Sequence, residues 1–353
     1  MNKPKPELPA ITSTSALTTL GPLVEQIRTV LDSARRSAVT HIQSLQVRTN
    51  YEVGRLIVEH EQNGRQRAAY GKEALTELAK RLTEEVGRGF SRQNLQHMRN
   101  FYLIYKDRDP QIRQTVSGES EPAEQFRLTW SHYVLLIGIA DDDERRFYEI
   151  EAETNNWAIR ELKRQVASAL YERLALSRDQ NKIRELSHEG QIIAQPADVL
   201  KDPYVLEFLG LESNPAYSEN DLESAIISRL EHFLLELGKG FLFEARQKRF
   251  TFDEDHFFVD LVFYNRLLRC YVLIDLKLDK LTHQDLGQMQ MYVNYFDRFV
   301  KTPEENPTVG IVLCKRKNDA LVELTLPANA NIFASAYQLY LPSKEDLRRQ
   351  LLE

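Results

Sequence analysis

Cysteine is scarce in this 353-residue chain: there are two, Cys270 and Cys314, each inside an apolar run. They have no metal-ligand spacing and give no disulfide framework, so a reducing, cytoplasmic setting is the default expectation. No run of eighteen or more apolar residues occurs, so no membrane-spanning helix is expected. The opening MNKPKPELPAITSTSALTTLGPL has two early lysines but no continuous apolar stretch, and 1–22 reads as a flexible lead-in, not a secretion signal. No repeat of fixed period is visible. A strong excess of one charge is also missing. The net charge is −6, divided as +1 over residues 1–180 and −7 over 181–353. That balance neither requires nor excludes a nucleic-acid partner, and local patches must decide.

What is present changes character near residue 190. Up to about 176 the pattern is helical. Val24, Ile27, Val30 and Leu31 start one long amphipathic helix, or two, over 24–62. Residues 72–86 form a second helix, GRGF a turn, and Ser91 the N-cap of a helix over 92–105 with Leu95, Met98 and Tyr102 inward. A polar loop spans 107–127, and helices follow at 131–138, 142–154 and 157–176. A polar stretch at 177–197 reads as a linker between a helical domain (23–176) and a second domain (198–353). In the latter the order is helix 219–237, strands 241–247, 256–264 and 270–277, helix 283–299, strands 308–314 and 331–339, and helix 343–352. That order indicates a mixed α/β sheet, and the chain is α+β overall.

Three charges interrupt the apolar strands: Asp260, Asp275 and Lys277. Asp275 and Lys277 are two apart and share a strand face. A four-residue loop over 265–268 would set Asp260 opposite Leu273, one diagonal step from Asp275. Charges in such strands need partners or a task. Two carboxylates and one lysine leave a negative excess, which Mg²⁺ would neutralise with room for a substrate phosphate (Mn²⁺ could substitute). The metal would activate a water, and Lys277 would orient it or stabilise charge on phosphorus. Asp-x-Lys alone is a common accident. Its weight comes from Asp260, from Glu223 on the preceding helix, and from Gln288 and Tyr292, four apart on the following one. Asp221, Glu231 and Glu236 share the helical region of Glu223, and Glu244 lies in the first strand as an auxiliary candidate.

This order resembles the PD-(D/E)XK nuclease superfamily. The resemblance implies a restriction-endonuclease-like domain in which Asp260, Asp275 and the Leu276 carbonyl ligate metal. Glu223 would bind it directly or through water, and Lys277 would act on the attacking water. Gln288 and Tyr292 would contact DNA or brace the site, and the product would carry a 5′-phosphate. Val259 stands where the pattern often has proline. The strings YGKEALTELAKRL, GRGFSRQNLQHMRNFYLIY, LTWSHYVLLI and NNWAIRELKRQV resemble the YhcG family over roughly 40–350. That family joins a helical domain to such a nuclease.

Residues 72–105 also read as helix-turn-helix-like. Arg92, Gln96 and Arg99 share one face of its second helix and Arg88 lies in the turn, residue types that hold phosphates or read bases. A merely solvated helix face is the plain alternative. His132 reads as a packed or capping residue. Together these features give the expectation of a metal-dependent DNA endonuclease acting as a homodimer or higher homo-oligomer. Branched or foreign DNA would be cut in recombination, repair or defence. The competing reading is a catalytically silent nuclease fold that binds DNA or assembles a complex. A weaker one is an RNA-cutting enzyme, for which no RNA module is recognisable.

Overall fold

The computed structural model describes residues 14–63, 68–107, 126–178, 180–211, 217–252, 254–327 and 329–352. The loop expected over 107–127, the break after residue 61 and the lead-in 1–22 lie wholly or partly outside them. The chain forms two compact units, Met1–Gly138 and Ile139–Glu353.

The described part of the first unit is helical: α1 (Thr14–Asn63), α2 (Ala68–Glu85), α3 (Arg92–Tyr105) and α4 (Trp130–Leu136). The long amphipathic segment is thus a single helix. Ser91 caps α3, its Oγ accepting from the Asn94 N–H at 3.2 Å. Gly87 and Gly89 turn the chain before it at φ +109° and +115°, a region that residues with a Cβ avoid. Backbones of α1 and α3 meet at Gly54, where a Cβ would lie 2.1 Å from the Met98 carbonyl oxygen. Helix α3 buries Leu95, Met98, Phe101 and Tyr105. Phe101, not the expected Tyr102, is its central buried ring. It packs on Phe126, Trp130 and Tyr133, while Tyr102 lies against Tyr51. Both α1 and α4 pack on α3, so its covered face is wider than a single stripe.

The second unit opens with α5 (Asp142–Thr154), α6 (Ile159–Ala167), α7 (Leu170–Leu176) and α8 (Gln180–Glu189). The helix expected over 157–176 is split at Ala169, whose φ is +52°. Helix α8 occupies the stretch expected as linker. All four belong to the same compact unit as the sheet. The reason is a buried ionic core. Arg173 is wholly buried and donates to Glu236 Oε1 at 2.5 Å and to the Pro203 carbonyl at 3.1 Å.

The sheet has six strands: β1 (Tyr204–Val205), β2 (Phe241–Phe252), β3 (Asp255–Asn265), β4 (Cys270–Lys280), β5 (Val309–Arg316) and β6 (Ile332–Gln338). Their order is β1-β6-β5-β4-β3-β2. The β2–β3–β4 meander is antiparallel, and β4, β5, β6 and β1 run parallel. The remaining helices are α9 (Glu219–Ser228), α10 (Leu230–Leu237), α11 (His283–Phe299), α12 (Asp319–Thr325) and α13 (Lys344–Leu352). One sheet face is covered by Leu222, Ile226, Phe233 and Leu237 of α9 and α10. Leu286, Met289, Tyr292 and Phe296 of α11 cover the other. Burial on both faces explains why β4 reads as a nearly continuous apolar run.

Candidate active site

The β3–β4 hairpin turns through Arg266–Arg269, with Asn265 paired to Cys270. The Asn265 side chain fixes this turn by accepting from the Leu267 and Leu268 N–H groups at 3.0 and 3.1 Å. The loop is four residues long, as expected, but sits one residue later than 265–268. That corrects the register by two positions. Leu261 pairs with Ile274, so the next step sets Asp260 opposite Asp275 and not opposite Leu273. The ladder ends there, and the Asp260 carboxylate takes over: its Oδ2 accepts from the Leu276 N–H at 2.8 Å. Both carboxylates thus stand where β3 and β4 part.

Asp275 is only 3% exposed. Lys277 Nζ lies 2.8 Å from its Oδ2, yet that oxygen accepts no hydrogen bond of good geometry. Burial first, and the charge of Asp260 next, push the Asp275 carboxyl up to about 7, against the pull of Lys277. Burial also raises Asp260, opposed by the Leu276 N–H, Lys277 and Gln247. For Lys277 burial is the largest influence and favours the neutral amine, but Asp275 outweighs it, so the ammonium is held above its ordinary value.

Glu223 projects from the buried side of α9, itself started by a capping box in which Ser218 and Asp221 exchange hydrogen bonds. Asp221 is thereby used in capping, Glu231 is exposed, and Glu236 belongs to the Arg173 core. Among the acidic candidates of this region, Glu223 is the one that reaches the cluster. Its Oε1 accepts from Arg246 Nε at 2.7 Å and its Oε2 from Gln247 Nε2 at 2.5 Å. The same Gln247 nitrogen donates to Asp260 Oδ1 at 3.0 Å. Gln247 follows the β2–β3 register opposite Asp260 and holds φ +46°, rare for a residue with a side chain. The sequence reading missed it. Glu244, the auxiliary candidate, pairs with Lys248 instead.

Helix α11 starts from a Thr282–Asp285 capping box and carries Gln288 and Tyr292 on one face. Gln288 Nε2 donates to Tyr292 Oη at 2.6 Å. Burial first, then the charges of Asp275 and Asp260, push the Tyr292 hydroxyl up to about 12. In the helical unit Arg88 and Arg92 are exposed. Arg99 is tied to Glu61 at 2.8 Å and Gln96 donates to Asn100 at 2.9 Å. His132 is buried and hydrogen-bonded to Thr129 at 2.6 Å.

Among the described residues no three His, Cys, Asp or Glu side chains are arranged to hold a metal ion. The Gln247 amide stands between Glu223 and Asp260, and the Lys277 ammonium rests on Asp275. The donors still fit a hard divalent cation. They are all oxygens, two neighbouring carboxyls resist ionisation together, and Asp275 Oδ2 has an unfilled bonding direction.

Comparison with known proteins agrees with this architecture. Residues 197–352 match the family model described as YhcG PDDEXK nuclease domain, and residues 26–173 match the DUF1016 N-terminal domain. A curated relative, "Putative nuclease YhcG" of Escherichia coli (strain K12), is 39% identical over 345 residues, covering 92% of this chain and 91% of its own. Two solved structures share a weaker likeness. A repair endonuclease from Pyrococcus abyssi has 18% identity and TM-score 0.24, over 36% of this chain and 50% of that one. A complex of EndoMS with double-stranded DNA has 15% identity and TM-score 0.25, over 37% and 49%. By its two domains and its full-length relative, the chain belongs to the YhcG family of PD-(D/E)XK nuclease-domain proteins.

Proposed function

We propose that this chain is a metal-dependent endonuclease that hydrolyses DNA phosphodiester bonds at the Glu223–Asp260–Asp275–Lys277 cluster. The observation that carries the reading is Asp275, a buried carboxylate that rests on Lys277 and is raised by the charge of a second carboxylate, Asp260. Asp260, Asp275, the Leu276 carbonyl and Glu223 would hold Mg²⁺ or Mn²⁺, and Gln247 must yield its place between two of them. When bound, the ion would polarise a phosphoryl oxygen and lower the pKa of a water. Lys277 stays protonated and offers its ammonium to the attacking water or to charge growing on phosphorus. The Gln288–Tyr292 bond fixes a phenol on the helix that follows the site strands, where it would brace the site or touch the DNA strand. Arg88 and Arg92 offer exposed cations to phosphates, as the turn and helix start of a DNA-binding module would. Gln96 and Arg99 make contacts within the helical unit, so they contribute to DNA binding only by releasing them. A homodimer in the cytoplasm, acting on branched or foreign DNA in recombination, repair or defence, is the setting such an enzyme fits.

A nuclease fold that binds DNA or builds a complex without cutting is the second reading. It is favoured by one observation, the lack of a three-ligand cluster among the described residues. One assay separates the two. Purified protein is incubated with Mg²⁺ or Mn²⁺ and linear, nicked, branched and single-stranded DNAs, beside Lys277→Ala and Asp275→Ala. The enzyme reading expects cleavage by wild type and losses of roughly a hundredfold or more in both variants. Cleavage undiminished in the variants would remove the site assignment, and no cleavage by any form would leave the silent reading.

A further inference from the structure

Three consecutive cations, Lys315, Arg316 and Lys317, stand at the end of β5. Two of them are engaged. Lys315 lies over the Tyr217 ring at 4.8 Å, and Lys317 pairs with Asp202 and Asp319. Arg316 is exposed and makes no ion pair among the described residues. Its neighbour on β4 is Lys280, equally exposed and equally unpaired among them. The pairing is the product of a bulge. Lys277 sits beside Cys314 and Lys280 beside Arg316, so three steps of β4 answer two of β5. A regular ladder would set Asp279 beside Arg316, an attractive pair. The bulge forgoes it and puts two like charges side by side, an arrangement that costs stability. The Leu281 N–H, bonded to the Arg316 carbonyl at 3.0 Å, fixes the chain in that register. Burial of Leu281 accounts for the bulge but not for a cation at residue 280.

The pair also faces the candidate site. Asp275 and Lys277 stand beside Val312 and Cys314, which pack into the core under α11. Arg316 is two residues beyond Cys314 and so shares that face. Lys280 is three residues beyond Lys277, roughly 10 Å along the strand. Nearby carboxylates are spent elsewhere: Asp285 caps α11, and Asp202 and Asp319 hold Lys317. We propose that Lys280 and Arg316 seat the backbone phosphates of DNA beside the bond that is cut. A phosphate between them removes the repulsion, and each cation gains a charge-assisted hydrogen bond. At about 3.4 Å of helix axis per nucleotide, the seat lies roughly three nucleotides from the cluster. Contacts of this kind set the register of a duplex and carry no sequence preference. The seat rests on the DNA part of the proposed function and not on cleavage.

The test is the DNA affinity of the full chain in chelator, where no metal-dependent cut occurs. Fluorescence anisotropy with a labelled duplex gives binding constants at several salt concentrations. Lys280→Gln and Arg316→Gln should each weaken binding about tenfold at low salt, and equally for unrelated sequences. The double variant should reduce the steepness of log affinity against log salt by about 2. Arg316→Lys keeps the charge and should keep the slope. Thermal midpoints should not fall in any variant, since the two cations only repel each other in the free protein. A wild type that binds no duplex would overturn the proposal, as would variants that bind as wild type does. So would a loss seen with an RNA duplex and not with DNA. Its fate is separate from that of the nuclease. Cutting by a wild type whose affinity ignores both residues would remove the seat alone, and binding through the pair without cutting would remove the enzyme alone.

Discussion

Asp275 sits where burial and a neighbouring carboxylate act in the same direction, and that has a consequence for stability. Its folded value is raised to about 7 from 3.8. The favourable contribution of the protonated acid is complete below about 4 and is lost as pH rises through about 7. Removing the charge should therefore help the metal-free protein at high pH. In a chelator, Asp275→Asn should match wild type near pH 4 and exceed it at pH 8 by an amount on the order of 2 kcal/mol. Loss of the Lys277 ion pair opposes this gain but is the smaller effect, because burial is the leading cause of the shift. Added Mg²⁺ at pH 8 should stabilise wild type and not the variant. Urea unfolding at the two pH values, with and without metal, measures both, and a variant less stable than wild type at pH 8 in chelator would refute the account. At this scale Asp260, Asp275 and Lys277 were legible because a charge inside an apolar strand has no packing reason to be there. Gln247 was not. It lies in an edge strand among Arg246, Lys248 and Arg249, where one more polar residue carries no signal and a positive φ leaves no mark in sequence.

Elements declare themselves by period, and their ends by chemistry. The capping residues of α3, α9 and α11 mark their starts, and Ser91 was read directly. Breaks inside apolar helices are harder. Residues 219–237 have one unbroken pattern, yet the helix resets at Arg229 so that both α9 and α10 feed the same sheet face. Strand β2 runs to Phe252, five residues beyond expectation, because an edge strand rich in Arg, Lys and Gln shows no clean alternation. The one-residue slip of the hairpin loop came from Asn265, whose side chain closes the turn and whose backbone still pairs. Close approach of elements is equally silent in sequence, and Gly54 shows its size. By helix propensity Gly54→Ala should stabilise α1 by roughly 1 kcal/mol. Its Cβ would instead meet the Met98 backbone at 2.1 Å, and parting two packed helices costs about 1–3 kcal/mol or more. The clash outweighs propensity, so the variant should be less stable. The urea midpoint of the Trp130 transition, in a Trp157→Phe background, reads the sign, and a rise would show that α1 and α3 do not touch at this point.

For the chain as a whole, composition divides at the change from helical to strand pattern, and the family models divide between 173 and 197. Packing divides it earlier, at Gly138 and Ile139. The difference lies in long-range ionic contacts that no local pattern announces. Glu236, wholly buried on α10, receives Arg173 of α7 and Arg164 of α6, and its carbonyl accepts from Lys201. Burial alone would raise its carboxyl, but Arg173, Lys201 and Arg164 together hold it down at about 2. One carboxylate thus neutralises cations from the helical segment and from the chain just before the sheet. Arg164 keeps Glu207 as a partner, but the buried cations Arg173 and Lys201 would face a neutral amide, so Glu236→Gln should destabilise the second unit by about 3–5 kcal/mol at pH 7. Because the folded value is depressed, this stability is present above about 4.5 and fades as pH falls towards 2. The gap between wild type and Glu236→Gln should then be widest near pH 5 and narrow below 4. Burial pushes Lys201 down to about 8 while Glu236 holds it up, so without Glu236 it falls further, and the variant sheds that proton and narrows the gap as pH rises towards 8. Unfolding of both proteins across pH 3 to 9 should trace a gap with a maximum that falls on each side. A gap independent of pH would mean that Glu236 acts through shape alone and that the helices before the sheet are held by something other than charge.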